Sequence, residues 1–269
     1  SNPVAVGDRV EMQADANYPD TASISKVENR NNYLIRRSNK LSSRRQILAT
    51  NLDGAALIAS LFAPRTSLGF IDRFILTCEA YQVPAAVFFN KMDLLGDNAA
   101  GFLADIQHIY RNANITLMMG SAKNPETLNP FANMLTGKRW LLAGHSGVGK
   151  STLLNAVFPE ANARVGRISN HHDKGRHTTT FAEMFTLSDG TQIIDTPGIR
   201  DFGVVDFEPH EICQYFPEMR PYLNACKFND CQHTHEPECA VLAAVRAGDI
   251  AEERYLSYLG ILNNEDIFE

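Results

Sequence analysis

The stretch Gly144-His145-Ser146-Gly147-Val148-Gly149-Lys150-Ser151-Thr152 limits what this chain can fold into more than any other. Trp140-Leu141-Leu142-Ala143 before it reads as a buried strand, and a helix is expected from about Lys150. Strand, glycine-rich turn and helix in that order curl backbone N–H groups around phosphate oxygens and add the positive end of the helix. Lys150 is expected to reach the β- and γ-phosphates, and the Ser151 hydroxyl to complete a Mg²⁺ shell. The pattern asks for a nucleoside triphosphate and says nothing about its base.

Three more motifs follow strand patterns and supply the rest of a pocket. Asp195-Thr196-Pro197-Gly198 comes after Gln192-Ile193-Ile194. A carboxylate there can hold a Mg²⁺-bound water, and the Gly198 N–H can sense the γ-phosphate. Asn90-Lys91-Met92-Asp93 follows the apolar run Ala85–Phe89, and Ser121-Ala122-Lys123 follows Ile115–Met119. A carboxylate at Asp93 accepts hydrogen bonds from guanine N1 and N2, which adenine cannot offer. Asn90 is expected to support the loop and contact the purine's other edge, Lys91 to lay its stem along the base, and Ala122 to offer its N–H to guanine O6. Together these motifs predict a pocket for GTP and its product GDP.

Strands alternating with helices from about residue 51 to 205 predict an α/β fold with a largely parallel sheet, whose ligand loops gather at the carboxyl ends of the strands. The strand candidates include Ala55–Phe62 and Phe181–Leu187; the helix candidates include Asp72–Ala80 and Phe102–Arg111. Residues 1–50 read as a small β module with too few strands to close a barrel comfortably. Residues 206–269 lose the strand signal, with helices expected over Cys239–Ala247 and Ala251–Leu262. The order of the motifs is unusual, because the base-reading elements precede the phosphate loop. A pocket is spatial, so cutting a compact sheet at a surface loop and joining its old ends preserves it.

Composition matters here for what it excludes. With 44% hydrophobic and 21% charged residues among 269, the chain is neither disordered nor fibrous. No apolar run reaches the roughly 18 to 20 residues that cross a bilayer, so no membrane partner and a cytoplasmic location are expected. Three of the five cysteines, Cys226, Cys231 and Cys239, cluster around His233. Three thiolates and an imidazole suit tetrahedral Zn²⁺ in a structural role; His235 is a nearby rival for the fourth position, and Cys78 and Cys213 read as isolated apolar side chains. Residues 1–50 carry eight Lys/Arg against five Asp/Glu, with the densest basic run at Arg36, Arg37, Lys40, Arg44 and Arg45. That run reads either as a solvated surface or as a phosphate-neutralising RNA contact.

Taken together, these residues resemble the circularly permuted GTPases, and specifically the bacterial ribosome small-subunit-dependent GTPase A family. The resemblance rests on Asn90–Asp93, Ser121–Lys123, Gly144–Thr152, Gly175-Arg176-His177-Thr178-Thr179-Thr180, Asp195–Gly198 and the Cys/His cluster, and it covers nearly the whole chain. It implies an N-terminal OB-fold, a permuted GTPase core and a C-terminal zinc domain. It also implies binding to the 30S subunit and its 16S rRNA, a role in late maturation, and subunit-stimulated hydrolysis by a monomer. Gly7-Asp8-Arg9-Val10 lies well inside the family's OB domain, so only part of that domain is expected here.

Residue 199 departs from many GTPases, which place a water-orienting Gln there; Ile199 has no side-chain hydrogen bond to give. The resemblance makes His177 the candidate for orienting water, on a switch loop where Thr179, or else Thr178 or Thr180, contacts Mg²⁺ or the γ-phosphate. The competing expectation is a GTP-dependent ribosome or RNA interaction module whose hydrolysis is incidental.

Overall fold

A computed structural model describes residues 4–15, 18, 21–37, 45–161, 182–196, 207–263 and 265. Strands β1 (Val10–Ala14), β2 (Ala22–Val27), β3 (Tyr33–Arg37) and β4 (Arg45–Thr50) form two separate antiparallel pairs, β1 with β2 and β3 with β4. The sequence reading overlooked β4, whose apolar Ile47-Leu48-Ala49 sits behind a polar start. The turn at Gly7-Asp8 fastens these strands to the rest. The Asp8 carboxylate accepts from Arg30 at 2.7 Å and from Thr50 Oγ1 at 2.8 Å, while Arg139 donates to the Gly7 carbonyl at 2.8 Å. Gly7 has φ 95, and a Cβ there would lie 2.3 Å from the Thr50 carbonyl oxygen, so a side chain is excluded.

The central sheet contains β5 (Gly54–Ser60), β6 (Ala85–Asn90), β7 (Thr116–Met119), β8 (Arg139–Ala143), β9 (Glu183–Thr186) and β10 (Gln192–Asp195), in the order β7-β6-β5-β8-β10-β9. All neighbours are parallel except the edge pair β9–β10. Because strand side chains alternate, the apolar runs feed two cores. Ala55, Leu57, Ala59, Val87, Phe89 and Leu141 face one, with helices α1 (Leu68–Ala80) and α2 (Ala99–Tyr110). Ala56, Ile58, Phe88, Trp140 and Leu142 face the other, with α3 (Asn129–Leu135) and α4 (Lys150–Val157).

Several boundaries differ from the sequence expectation for local reasons. The first core strand ends at Ser60 instead of Phe62, because the Ser60 hydroxyl takes the Phe62 N–H at 3.3 Å and its carbonyl takes Thr66 N–H at 2.7 Å, curling the chain away. Helix α1 starts four residues earlier than expected, capped by Ser67 Oγ on the Phe70 N–H at 3.2 Å. The strand expected over Phe181–Leu187 is confined to Glu183–Thr186, with Phe181 itself outside the described residues.

Residues 207–262 carry two 3₁₀ segments, Pro209–Tyr215 and Arg220–Ala225, followed by α5 (Ala240–Ala247) and α6 (Glu252–Leu262). Gly248 stops α5 at φ 79. This region packs its own core around Phe216, Val241 and Tyr258, and Leu76 of α1 belongs to it. The joint is ionic as well as apolar. Arg254 of α6, 1% exposed, donates to Asp72 of α1 and to Glu218, each at 2.6 Å, while Ser257 donates to the other Asp72 oxygen. The Arg254 guanidinium also lies 4.7 Å from the Phe216 ring centre.

Candidate functional site

Four strand ends converge on the expected pocket. Strand β8 delivers the phosphate loop, with Gly144 (φ 152) so close to the β5 backbone that a Cβ would sit 2.6 Å from the Ile58 carbonyl oxygen. Val148 is fully buried and offers the loop only its backbone. Helix α4 opens at Lys150 behind Gly149 (φ 90), leaving Ser151 and Thr152 exposed in the first turn, where helix N–H groups lack intrahelical partners. Ser146 and Gly147 are also exposed. The Lys150 ammonium is ion-paired with Asp195 at the end of β10 and donates to the Thr196 carbonyl at 3.1 Å. His145 lies against Phe70 of α1, ring centres 4.0 Å apart, which makes it a packing residue between the loop and α1.

Asn90 is the keystone of the side expected to read the base. Buried at 3% exposure, it donates from Nδ2 to the Val148 carbonyl at 2.9 Å and accepts the Ala122 N–H on Oδ1 at 3.0 Å. The sequence reading gave that N–H to guanine O6; in the structure Asn90 takes it, so O6 recognition would have to share it. Lys91, in the left-handed region at φ 64, donates to the Ala63 carbonyl at 2.5 Å and to the Gly147 carbonyl at 2.7 Å. Its ammonium thus crosses to the phosphate loop while its stem bridges the two.

Asp93 accepts from Ser121 Oγ at 2.6 Å and pairs with Lys123 Nζ at 3.3 Å. The Ser121 hydroxyl, helped by Lys123, holds the Asp93 carboxyl below the usual carboxylate range and keeps it a hydrogen-bond acceptor. Oxygen donors from Asp195 and Ser151 suit a hard cation such as Mg²⁺. His177, Thr178, Thr179, Thr180, Gly198 and Ile199 lie outside the described residues.

A second site is built within fourteen residues. Ligand atoms of Cys226, Cys231, His233 and Cys239 lie within 4.8 Å of one another. Cys226 and Cys239 sulfurs are 3.9 Å apart, and each is 3.5 Å from His233 Nδ1. Tetrahedral zinc with ordinary Zn–S and Zn–N bonds requires edges of about 3.8 Å and about 3.6 Å, so the residues fit that ion. Burial pushes the His233 imidazolium down, leaving the neutral ring a metal needs, and pushes the Cys231 thiol up to about 12, so a thiolate there calls for a cation's charge. His235 is exposed, with its Nδ1 2.8 Å from the Thr234 hydroxyl, and is not part of the cluster.

Sequence reasoning missed the groups that brace this loop. Glu236 accepts three backbone N–H groups, from Gln232 and Thr234 at 2.8 Å and from His235 at 3.0 Å; despite burial, these bonds bring it down to about 2. Tyr255 donates to the His233 carbonyl at 2.8 Å, and Tyr258 to the Gln232 carbonyl at 2.6 Å. A glutamate between two prolific ligand types looks like any surface acid in a sequence. Cys78 is buried in the sheet's core, apart from the cluster; Cys213, expected to be isolated, shares the C-terminal core with Cys226, Cys231 and Cys239 but is not one of the four clustered ligands.

Comparison with known proteins accounts for this combination. The sequence model of the RsgA GTPase family matches residues 27–205. A Porphyromonas gingivalis protein called small ribosomal subunit biogenesis GTPase RsgA is 46% identical over 269 residues, 99% of this chain and 85% of its own length. A Bacteroides thetaiotaomicron protein, small ribosomal subunit biogenesis GTPase RsgA 2, is also 46% identical, over 99% of this chain and 85% of its own. Among solved structures, YjeQ from Thermotoga maritima superposes with TM-score 0.78 at 32% identity, covering 97% of this chain and 84% of that one. YloQ, described as a circularly permuted GTPase, gives 0.73 at 29% identity, covering 98% and 81%. With the Asn90–Asp93 and Ser121–Lys123 loops ahead of the glycine-rich Gly144–Thr152 loop and relatives matched over nearly its full length, this chain belongs to the RsgA GTPase family.

Proposed function

We propose that the chain hydrolyses GTP to GDP and phosphate as a maturation factor of the small ribosomal subunit, and that the subunit stimulates hydrolysis. The observation that supports this best is the Asn90 amide, which ties the phosphate loop to the Ser121–Lys123 turn across 58 and 32 residues of sequence. It brings a guanine-reading carboxylate and a phosphate-reading ammonium into one pocket. The relatives' names supply the ribosomal context.

In this reading Asp93 accepts from the guanine edge, and the N–H groups of Gly144–Thr152 cradle the phosphates. Lys150 leaves Asp195 to stabilise charge developing on the terminal phosphate during direct attack by water. Ser151 would hold Mg²⁺ and Asp195 a water bound to it, and the ion would neutralise charge on the phosphate oxygens. His177 orients the water, Thr179 completes the switch contact and Gly198 reads the γ-phosphate. Cys226, Cys231, His233 and Cys239 hold a structural Zn²⁺. Residues 1–50 act as a partial OB-fold contacting 16S rRNA through the basic run 36–45, residues 51–205 as the GTPase and 206–269 as the zinc domain, in a cytoplasmic monomer. Among the described residues no helix is long and apolar enough to cross a membrane.

Single-turnover hydrolysis with purified small subunits tests the proposal. We expect acceleration by at least about tenfold, loss of that acceleration in Lys150→Ala, and displacement of bound GTP by GTP but not by ATP. Tight binding to subunits without faster hydrolysis would instead favour an interaction module. Equal displacement by ATP would remove the guanine pocket altogether.

A further inference from the structure

One side chain outside every motif fixes the shape of the base-reading turn. Thr127 lies in the 3₁₀ segment Pro125–Leu128. Its Oγ1 accepts the Ser121 N–H at 3.1 Å and donates to the Asn124 carbonyl at 2.7 Å. Its own N–H reaches the same carbonyl at 3.0 Å, and Asn124 N–H returns to the Ser121 carbonyl at 2.8 Å. The hydroxyl also occupies the space above Gly120, where a Cβ would lie 2.7 Å from Thr127 Oγ1 and 3.0 Å from the Phe88 ring. Gly120 in turn accepts the Met92 N–H at 3.1 Å, from the loop that carries Asp93. Thr127 therefore packs on the residue that joins both base-reading loops.

Ser121 is 4% exposed, so its N–H depends on that hydroxyl for a partner. Ser121 Oγ then aims Asp93 through their 2.6 Å hydrogen bond. We propose that Thr127 is a positioning residue for guanine specificity, acting through Ser121 on the Asp93 carboxylate. The inference rests on the guanine reading of the pocket given above. Valine at this position keeps the shape and loses both hydrogen bonds; serine keeps the hydroxyl.

The test compares dissociation constants for GTP and for inosine triphosphate, which retains N1–H and O6 but lacks the exocyclic amine. Thr127→Val should lower the GTP-over-ITP preference by about three- to tenfold, while Thr127→Ser stays within about twofold of the parent. A role limited to stability would weaken both nucleotides alike and leave the ratio untouched. An unchanged ratio in Thr127→Val, or an equal fall in Thr127→Ser, would overturn the assignment. Should the valine variant not fold, Thr127→Ala carries the same comparison. Asp93→Ala run alongside separates the two levels: if it leaves the ratio intact, the guanine reading fails; if it collapses the ratio while Thr127→Val does not, only the role of Thr127 fails.

Discussion

The nucleotide pocket and the Cys/His knuckle solve the same problem, holding an ion-binding geometry in place, by opposite means. The pocket collects loops from four strands, and its precision comes from a sheet whose alternating side chains fill two cores. Among the described residues, Lys150 is already paired with Asp195 and Asp93 with Lys123, so the fold itself holds these groups in place. The knuckle is local, and burial makes its Cys231 and Cys239 thiols resist ionisation. Glu236, Tyr255 and Tyr258 fix its backbone, while holding its sulfurs as thiolates would take the charge of a cation. A site held by long-range packing should survive loss of its ligand; one held by its ligand should not.

Metal removal is the severest challenge to that contrast. Structural zinc contributes on the order of 10 kcal/mol in small zinc domains, so chelation should abolish amide-exchange protection across residues 226–239. GTP affinity measured on the same sample should change by less than about threefold. A parallel collapse of GTP binding would show that the two sites are one cooperative unit. Next in size, Arg254→Ala strands the buried carboxylates of Asp72 and Glu218, and should cost about 3–5 kcal/mol in denaturant melts. It tests whether the ionic joint, and not the metal, carries the C-terminal region on the sheet. The smallest effect is expected from Glu236→Gln, where one amide oxygen replaces a carboxylate serving three N–H groups. About 1 kcal/mol of knuckle stability should be lost, after solvent screening, and read out as weaker zinc retention against a competing chelator with GTP binding unaltered.

Legibility followed the same divide. The phosphate loop, the Asn90–Asp93 and Ser121–Lys123 elements and the Cys/His cluster stood out because backbone geometry and ligand chemistry demand particular residues at fixed local spacing. The parallel sheet was legible from its apolar runs. The edge strand Arg45–Thr50 and helix α3 were not, the first for its polar start and the second for Pro130 inside an ambiguous segment. Contacts between distant segments were invisible in principle: nothing near Asn90 announces Val148, 58 residues further on. The Ala122 N–H illustrates the point, since a motif names the donor while only the fold shows that Asn90 already uses it.

Helix α1 has one more consequence. Phe70 and Phe74 point into the sheet's core, Leu76 into the C-terminal one, and Asp72 is 1% exposed beneath Arg254. Such a helix is a party wall with rooms on both sides. Removing residues 207–262 would uncover Leu76 and strand Asp72 without Arg254, so the appendage forms one side of that wall and is not merely attached to it.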